Sequence, residues 1–427
     1  MKFKPLGNTD LQVSLICLGT MTWGEQNTEN DAFEQMDYSL EQGVNFFDTA
    51  EYYSVKGKEN TYGATEKIIG NWFKQKNNRE KIILASKVAG PDVRWIRGGG
   101  LQFHEKHFTE ALEGSLKRLQ TDYIDLYQLH WPERKTNFFG RLGYKNYKQE
   151  KDWTPFEEIL ETAKKFVDQG KIRYLGLSNE TPYGLSNYIN LSNYKNLPRV
   201  MSVQNPYSLL NRTYEVGMSE ISIRDQVGLL AYSPLACGVL TGKYRNSKKP
   251  EGARLTIWDD WTRYTNERSI SATDQYCKIA ENHGLTPTEL SLAFVNQQDF
   301  VTSNIIGATK MDQLKENIKS ADIELSKQIL DEIDEVHEDN PSPAPQKMTE
   351  WSKDNQGRLT KTFAFKNYRK SFAFTSQVAM LSEKKNHHPQ IILDYGSVTI
   401  ALISHDVQKV TQRDLDLAEQ IDKLYQE

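Results

Sequence analysis

The sequence predicts an α/β chain: a (β/α)8 TIM barrel followed by a small α+β domain. Three observations predict it. Before residue 340, short apolar runs alternate with longer amphipathic ones through eight candidate strands, the pattern of parallel strands joined by right-handed helical crossovers. The stretch NPSPAPQ then places Pro at 341, 343 and 345. Proline forbids a continuous helix or central strand there, so the stretch reads as an extended spacer. Beyond it the order of elements changes. The expected division is a first domain over 1–340, a linker over 341–347 and a second domain over 348–427.

The expected strands of the first domain cover 15–20, 44–48, 82–87, 123–130, 173–178, 200–204, 228–233 and 303–307. Helical spacing fills the gaps at 28–42, 64–76, 109–119, 155–169, 183–190 and 213–227, and twice in the seventh gap, near 270–282 and 287–297. Eight such units over roughly 300 residues fit a closed barrel better than an open sheet. Three long segments, 88–105, 131–154 and 242–268, each follow a strand. They therefore belong over the C-terminal mouth, where barrel active sites are built. Past the spacer, 363–365, 391–393 and 397–404 read as strands and 368–385 as a helix. A last helix over 411–425 opens with Thr411 as N-cap and Asp414 three residues on, a capping box. A unit of roughly 80 residues can fold but buries little surface, which leaves room for a homo-oligomer through either domain.

Composition narrows the partners. Hydrophobic residues are 38% and charged residues 26% of the 427, with a net charge of -4. No basic field invites nucleic acid or anionic lipid. Cys17, Cys237 and Cys277 are odd in number and widely spaced, unlike a disulfide framework or a zinc pattern. The opening MKFKPLGNTD lacks the apolar core of a secretion signal. The apolar segment 391–403 is too short to span a bilayer and carries Asp394. The expected location is the cytoplasm, without membrane attachment.

Asp48, Lys87 and His130 each end a candidate strand, and Tyr53 follows Asp48 by five residues. Strand ends of a barrel converge on its mouth, and this set suits carbonyl reduction. An ammonium beside a phenol is expected to lower the phenol's pKa and let Tyr53 give its proton near neutral pH. Asp48 would keep Lys87 charged, and His130 would orient the carbonyl oxygen. Taken singly, Asp48 also reads as a loop cap and Tyr53 as packing.

The segments GVNFFDTAEYY, ILASKV, YIDLYQLHWP, IRYLGLSN, SVQNPYSLLNR, LLAYSPLACGVLTGKY and IIGATKMDQLKENI resemble the aldo-keto reductase superfamily. Among its branches they are most similar to the Tas-like and potassium-channel β-subunit-like ones. The resemblance implies a TIM barrel that binds NADP(H) without a Rossmann fold and reduces an aldehyde or ketone. It carries a catalytic tetrad onto Asp48, Tyr53, Lys87 and His130. It places Thr20, Met21, Ser178, Asn179 and Gln204 around the nicotinamide, with Tyr232 stacked on the ring. Ser233, Pro234, Leu235, Ala236, Cys237, Lys243 and Arg254 would follow the pyrophosphate. Gly307, Thr309, Gln313, Glu316 and Asn317 would hold the adenosine end. Many members carry Arg where this chain has Gln313, which leaves Lys243, Arg254 and Lys310 to neutralise a 2′-phosphate.

The second domain has its own titratable set: Glu383, His387, His388, His405 and Asp414. Pro389 extends the backbone at His388, so the two adjacent imidazoles should point apart. Acid–base chemistry fits. A metal site is the alternative for three histidines, Asp414 also reads as a helix cap, and Glu383 as a solvated helix residue. NHHP, SHD and the TQRDLDLAEQID run are similar to pterin-4a-carbinolamine dehydratase. That resemblance implies metal-free dehydration of a 4a-hydroxytetrahydropterin to the quinonoid dihydropterin. His387, His388 and His405 would surround the pterin, with Glu383 and Asp414 supporting them. Two features depart from that family. Its glycine-rich turn is Gln408-Lys409-Val410 here, and its N-terminal helix is short, replaced by 348–354. The reading is thus a bifunctional enzyme. The rival is an NADP(H)-binding scaffold with a dimerising C-terminal module, and a bolder variant has the barrel itself act on a pterin.

Overall fold

The structure, a computed structural model, describes every residue except 145–151, 259–260, 345, 348–350, 355 and 426–427. The chain forms two compact units, Met1–Gln346 and Lys347–Glu427. No helix among the described residues is long and apolar enough to cross a membrane.

The first unit is a closed barrel of eight parallel strands. They are β1 (Ile16–Gly19), β2 (Phe46–Asp48), β3 (Ile83–Val88), β4 (Ile124–Leu129), β5 (Ile172–Ser178), β6 (Val200–Pro206), β7 (Gly228–Tyr232) and β8 (Val301–Ile306). Each pairs with the next, and β8 closes on β1 through Asn304–Ile16. Among the described residues, ten α-helices accompany the strands, besides the single turn Arg254–Ile257. The first five are α1 (Glu29–Glu41), α2 (Ala64–Lys76), α3 (Glu105–Leu119), α4 (Phe156–Asp168) and α5 (Pro182–Lys195). The others are α6 (Tyr214–Arg224), α7 (Glu267–Asn282), α8 (Pro287–Asn296), α9 (Met311–Lys319) and α10 (Lys327–Asp339).

Strand alternation decides what enters the lumen. Cys17, Phe46, Ala85, Leu126, Leu230 and Ile305 pack together inside the barrel. Their strand neighbours Ile16, Leu18, Phe47, Leu84 and Tyr127 face the helices in the outer core. Counting on by two from the lumen residues brings Asp48, Lys87, Gln128 and then His130 to the same inner face, at the C-terminal end. Gly176 makes this crowding possible. A Cβ there would stand 2.9 Å from Ser202 Oγ and 3.1 Å from Gln128 Cγ.

The N-terminal end carries an antiparallel hairpin of Phe3–Pro5 with Gln12–Ser14, which the sequence reading did not anticipate. Its Leu6 and Val13 pack under the lumen residues, and Lys4 Nζ donates to Val301 O at 2.6 Å. Helices α9 and α10 were also unanticipated, and α3 begins at Glu105 rather than 109.

The second unit folds four antiparallel strands against two helices. The elements are β9 (Ser352–Lys353), β10 (Leu359–Ala364), α11 (Tyr368–Lys385), β11 (Gln390–Asp394), β12 (Ser397–Leu402) and α12 (Gln412–Leu424), with sheet order β9-β10-β12-β11. Val398, Ile400 and Leu402 alternate inward onto Phe374 and Val378 of α11 and Leu417 and Ile421 of α12. The short helix expected over 348–354 is not a helix in its described part, because Ser352 and Lys353 pair as a strand with Thr360 and Leu359. Residues 348–350 of that expectation lie outside the described residues.

The NPSPAPQ stretch is only partly a spacer. Ala344 N donates to Leu210 O at 3.1 Å, Arg212 N to Ser342 Oγ at 3.0 Å, and Asn266 Nδ2 to Pro343 O at 2.9 Å. Ala344 is fully buried. Residues 342–344 thus strap the barrel, and a chain ending at 340 loses all three bonds. In urea melts, 1–340 should be less stable than 1–346 by about 1–3 kcal/mol. Equal midpoints would contradict the strap.

Candidate functional site

Lys87 is the last lumen-facing residue of β3 and has no exposed surface. Its ammonium donates to Asp48 Oδ2 at 2.6 Å, Thr49 O at 2.8 Å and Tyr53 OH at 3.3 Å. Burial would lower its pKa, but Asp48 and Tyr53 together raise it above the ordinary value, so Lys87 stays charged. Asp48, the last residue of β2, uses its other oxygen as acceptor for Gln128 Nε2 at 3.0 Å and Gln204 Nε2 at 2.8 Å. Four strands therefore contribute to one pair of charges.

The expected direction for Tyr53 is corrected here. Burial raises the phenol's pKa and outweighs the lowering by Lys87. Tyr53 therefore keeps its proton throughout the neutral range. Its ring meets that of His130 edge-on, with centroids 5.6 Å apart. Burial first, and the Lys87 charge second, hold His130 well below its ordinary pKa. The imidazole is neutral and offers one N–H and one lone pair. The mouth thus sets a protonated phenol, a cation and a neutral imidazole side by side. Such a set can give a proton to a carbonyl oxygen and stabilise the charge that develops on it.

The other expected residues around the mouth are largely bonded to one another. Thr20 Oγ1 donates to Asp48 O at 2.9 Å, and Met21 O accepts from Val55 N at 2.9 Å. Ser178 Oγ donates to Gln204 O at 2.9 Å. Asn179 Nδ2 donates to His130 O at 2.9 Å, and its Oδ1 accepts the Tyr232 hydroxyl at 2.6 Å. Gln204 spends its amide N–H on Asp48 and on Gln128 Oε1. After β7, the segment Ser233, Pro234, Leu235, Ala236, Cys237 turns with φ of +55°, +48° and +58° at Ser233, Ala236 and Cys237. L-residues seldom hold that conformation, and it clusters at ligand sites. Gln313 Oε1 accepts from Thr309 N at 3.0 Å, Glu316 Oε1 accepts from Thr286 Oγ1 at 2.7 Å, and Asn317 Nδ2 donates to Gly307 O at 3.3 Å.

The donor set around Lys243 fits an anionic dinucleotide. Burial and then Arg254 lower the Lys243 ammonium below its usual pKa, with Lys310 adding to the effect. Among the described residues none of these three cations forms an ion pair. A cluster of mutually repelling cations is relieved by phosphate. Gly307 leaves open space where a side chain would stand.

Sequence reasoning missed three parts of this site. Gln128 was legible, because it precedes His130 by two in YIDLYQLH and shares its strand face. Glu51 and Arg97 were not, because a buried pair formed across two loops has no local pattern. Glu51 is fully buried, and Arg97 meets both its oxygens, at 2.6 and 2.8 Å.

In the second unit, His387 and Asp414 are buried and meet at 2.8 Å, Nε2 to Oδ1. Asp414 Oδ2 accepts from Thr411 N at 2.7 Å and from Ser404 Oγ at 2.8 Å. One carboxylate therefore caps α12 and holds an imidazole. His388 is exposed and lies 3.3 Å from Glu383, also exposed. His405 is exposed too. The adjacent histidines thus take different partners. The turn that departs from the family's glycine pattern still forms. Gln408 holds φ at +52° and its Nε2 donates to His405 O at 2.8 Å, while Ser404 N donates to Lys409 O at 3.0 Å. Among the described residues no group of three or more His, Cys, Asp or Glu stands together as a metal site.

A parallel barrel with an ionisable cluster at its C-terminal mouth defines an enzyme class by position and chemistry, and residues 15–338 match the Aldo/keto reductase family. The chain belongs to that family. Residues 334–424 match Pterin 4 alpha carbinolamine dehydratase, so an oxidoreductase domain and a dehydratase domain share one chain. Protein tas of Escherichia coli K12 is 48% identical over 353 residues, 81% of this chain and all of that protein. Uncharacterized oxidoreductase YrpG of Bacillus subtilis is 34% identical over 343 residues, 79% of this chain and 96% of that protein. An aldo-keto reductase of Babesia bovis is 35% identical over 252 residues, 56% of this chain and 88% of its own.

His130 sets a pH dependence. Its folded pKa is depressed, so below about pH 6.5 the unfolded chain takes up a proton that the folded barrel refuses. From about pH 6 to about pH 5, stability should fall by about 1 kcal/mol through this residue. Denaturant melts of wild type and His130→Gln at both pH values measure it. Equal losses in both would contradict the assignment.

Proposed function

We propose that the barrel reduces an aldehyde or ketone with NADPH and that the second unit dehydrates a 4a-hydroxytetrahydropterin to the quinonoid dihydropterin. The observation that carries the first half is the Tyr53 hydroxyl 3.3 Å from a buried, charged Lys87. The cations Lys243, Arg254 and Lys310, without an ion pair among the described residues, support a dinucleotide phosphate nearby. Bound there, NADPH supplies the hydride. Tyr53 gives its proton to the carbonyl oxygen, and the Lys87–Asp48 pair stabilises the phenolate left behind. His130 hydrogen-bonds the same oxygen and sets its direction. In the reverse reaction Tyr53 takes the proton back.

In the second unit the C4a–O bond breaks, a proton joins the leaving hydroxyl to form water, and another leaves a ring nitrogen. His388 and His405 would exchange protons with solvent, a role supported by their exposure. His387 would orient the ring, a role supported by its bond to the buried Asp414. The soluble setting expected from the sequence is the cytoplasm, where NADPH is available.

A second reading rests on one observation, that both domains occupy one chain. The quinonoid product is two electrons short of a tetrahydropterin, and a hydride with a proton supplies them. In this reading the barrel accepts that pterin.

One experiment addresses both. NADPH oxidation by the intact chain is followed with aldehydes, ketones and quinonoid dihydropterin, and water elimination is followed with the carbinolamine. Tyr53→Phe should lower hydride turnover about 10²–10⁴-fold and leave dehydration intact, while His388→Ala does the reverse. Undiminished hydride turnover in Tyr53→Phe would overturn the first reading. Absence of pterin-dependent oxidation would overturn the second.

A further inference from the structure

Glu51 lies between Asp48 and Tyr53 in sequence, yet the proton transfer described above makes no use of it. Its carboxylate is fully buried. An ionised carboxylate without solvent costs several kcal/mol unless it is paired and hydrogen-bonded. Here both oxygens are saturated. Oε1 accepts from Arg97 Nη2 at 2.6 Å and from Ala89 N at 2.7 Å. Oε2 accepts from Tyr62 OH at 2.6 Å and from Arg97 Nη1 at 2.8 Å. Burial would push its pKa up, but the hydrogen bond and charge of Arg97, with Tyr62 and the Ala89 amide, hold it below the usual carboxylate range.

What these bonds tie together is the segment carrying Tyr53 and the strand carrying Lys87. Glu51 N donates to Lys87 O at 3.2 Å, and the Glu51 side chain accepts from Ala89, two residues past Lys87. Tyr53 N donates back to Ala50 O at 3.1 Å, and Gly63 N donates to Glu51 O at 2.9 Å. The segment 49–63 is therefore pinned at both ends of its turn. Arg97 extends the brace. Its Nε donates to Gln102 Oε1 at 2.9 Å, and Gln102 N donates to Glu133 Oε1 at 2.6 Å, beyond β4. Tyr52 stacks on Trp95 of the Arg97 loop with ring centroids 5.8 Å apart. Two of the loops over the mouth thus meet on the Glu51 carboxylate, and the loop after β4 joins them through Glu133 and Gln102.

We propose that Glu51 is the positioning residue for Tyr53: clamped by Arg97, Tyr62 and the Ala89 amide, it fixes the phenol against Lys87 and so sets the rate of proton transfer. The inference rests on the reading of Tyr53 as proton donor. Glu51 touches neither substrate nor cofactor in this scheme, and its effect passes through the Tyr53–Lys87 contact. A shift of about 1 Å in a reacting group costs on the order of a hundredfold in rate.

The test measures NADPH-dependent reduction of 4-nitrobenzaldehyde by the full chain, with kcat and KM resolved. Glu51→Gln keeps the shape and removes the charge that holds Arg97. It should lower kcat roughly tenfold to a hundredfold and leave the KM for NADPH within about twofold. Tyr62→Phe removes one of the four bonds without stranding a charge. It should fold as wild type and lose kcat by a smaller factor in the same way, and it decides the matter if Glu51→Gln does not fold. A general loosening is separated by two comparisons. In a Tyr53→Phe background neither change should cost further activity, because the group they position is gone. Asp125→Asn breaks another buried pair, with Arg79 at 2.7 Å near the N-terminal ends of the strands. It should lower the melting temperature and leave kcat unchanged. Folded Glu51→Gln or Tyr62→Phe with wild-type kcat overturns the proposal. So does an equal fold-loss in the Tyr53→Phe background. Full turnover by Tyr53→Phe alone is a different result: it removes the reading beneath the proposal and the proposal with it.

Discussion

An ammonium without solvent has to be neutralised where it stands, and Lys87 is such a group. Asp48 at 2.6 Å answers it, but a buried pair is stable only when its remaining hydrogen-bonding capacity is also met. That requirement recruits Gln128 and Gln204 to the second oxygen of Asp48 and Thr49 O to the ammonium. The barrel's strand register places all of these at one height. Gln128 lies beside Lys87 in the pairing of β3 with β4, and Gly176 lies beside Gln128 in the next pairing. A side chain at 176 would meet the Gln128 stem and Ser202. The fold and the charge pair are therefore one constraint expressed at two scales. The cost of burying the charge is offset by a geometry that leaves one contact open to chemistry, the Tyr53 hydroxyl.

A smaller version of the same arrangement stands in the second unit. Asp414 is buried and serves three donors besides His387: the Thr411 amide and hydroxyl and the Ser404 hydroxyl. The helix cap and the imidazole are held by the same group, so the ring orientation is built into the start of α12. His388 and His405 carry no such restraint and face solvent. One fixed and two exposed imidazoles suit a reaction that needs a ring held still and protons exchanged with water. The proposal for both units thus rests on one idea: a buried carboxylate fixes a base or an ammonium, and a neighbouring group remains reactive.

Much of the fold was legible because period-two alternation and amphipathic spacing are local properties. The eight barrel strands fall within the expected runs to within a few residues, and the capping box of Thr411 and Asp414 is present. What was missed has a physical reason. The hairpin Phe3–Pro5 with Gln12–Ser14 has three-residue strands, too short for alternation to register. Ser352 and Lys353 form a strand through pairing with β10, which no local signal announces. In the site, Asp48, Lys87 and His130 were legible as polar groups ending apolar runs. The Tyr53 pKa was not, because the sequence shows a neighbouring cation and hides the depth of burial that outweighs it. The composition of the Pro-rich stretch predicts a spacer, whereas Ala344 is fully buried on the barrel.

In the proposed reaction the Lys87–Asp48 pair serves proton transfer rather than cofactor binding. The double variant Lys87→Met/Asp48→Asn removes both charges together, so neither is left stranded. NADPH affinity is read by fluorescence titration, and hydride transfer to an aldehyde by single-turnover absorbance at the nicotinamide band. The account predicts NADPH affinity within about threefold of wild type and hydride transfer slowed by at least about 10³-fold. A folded double variant that transfers hydride at near wild-type rate, or that loses NADPH binding, would contradict it.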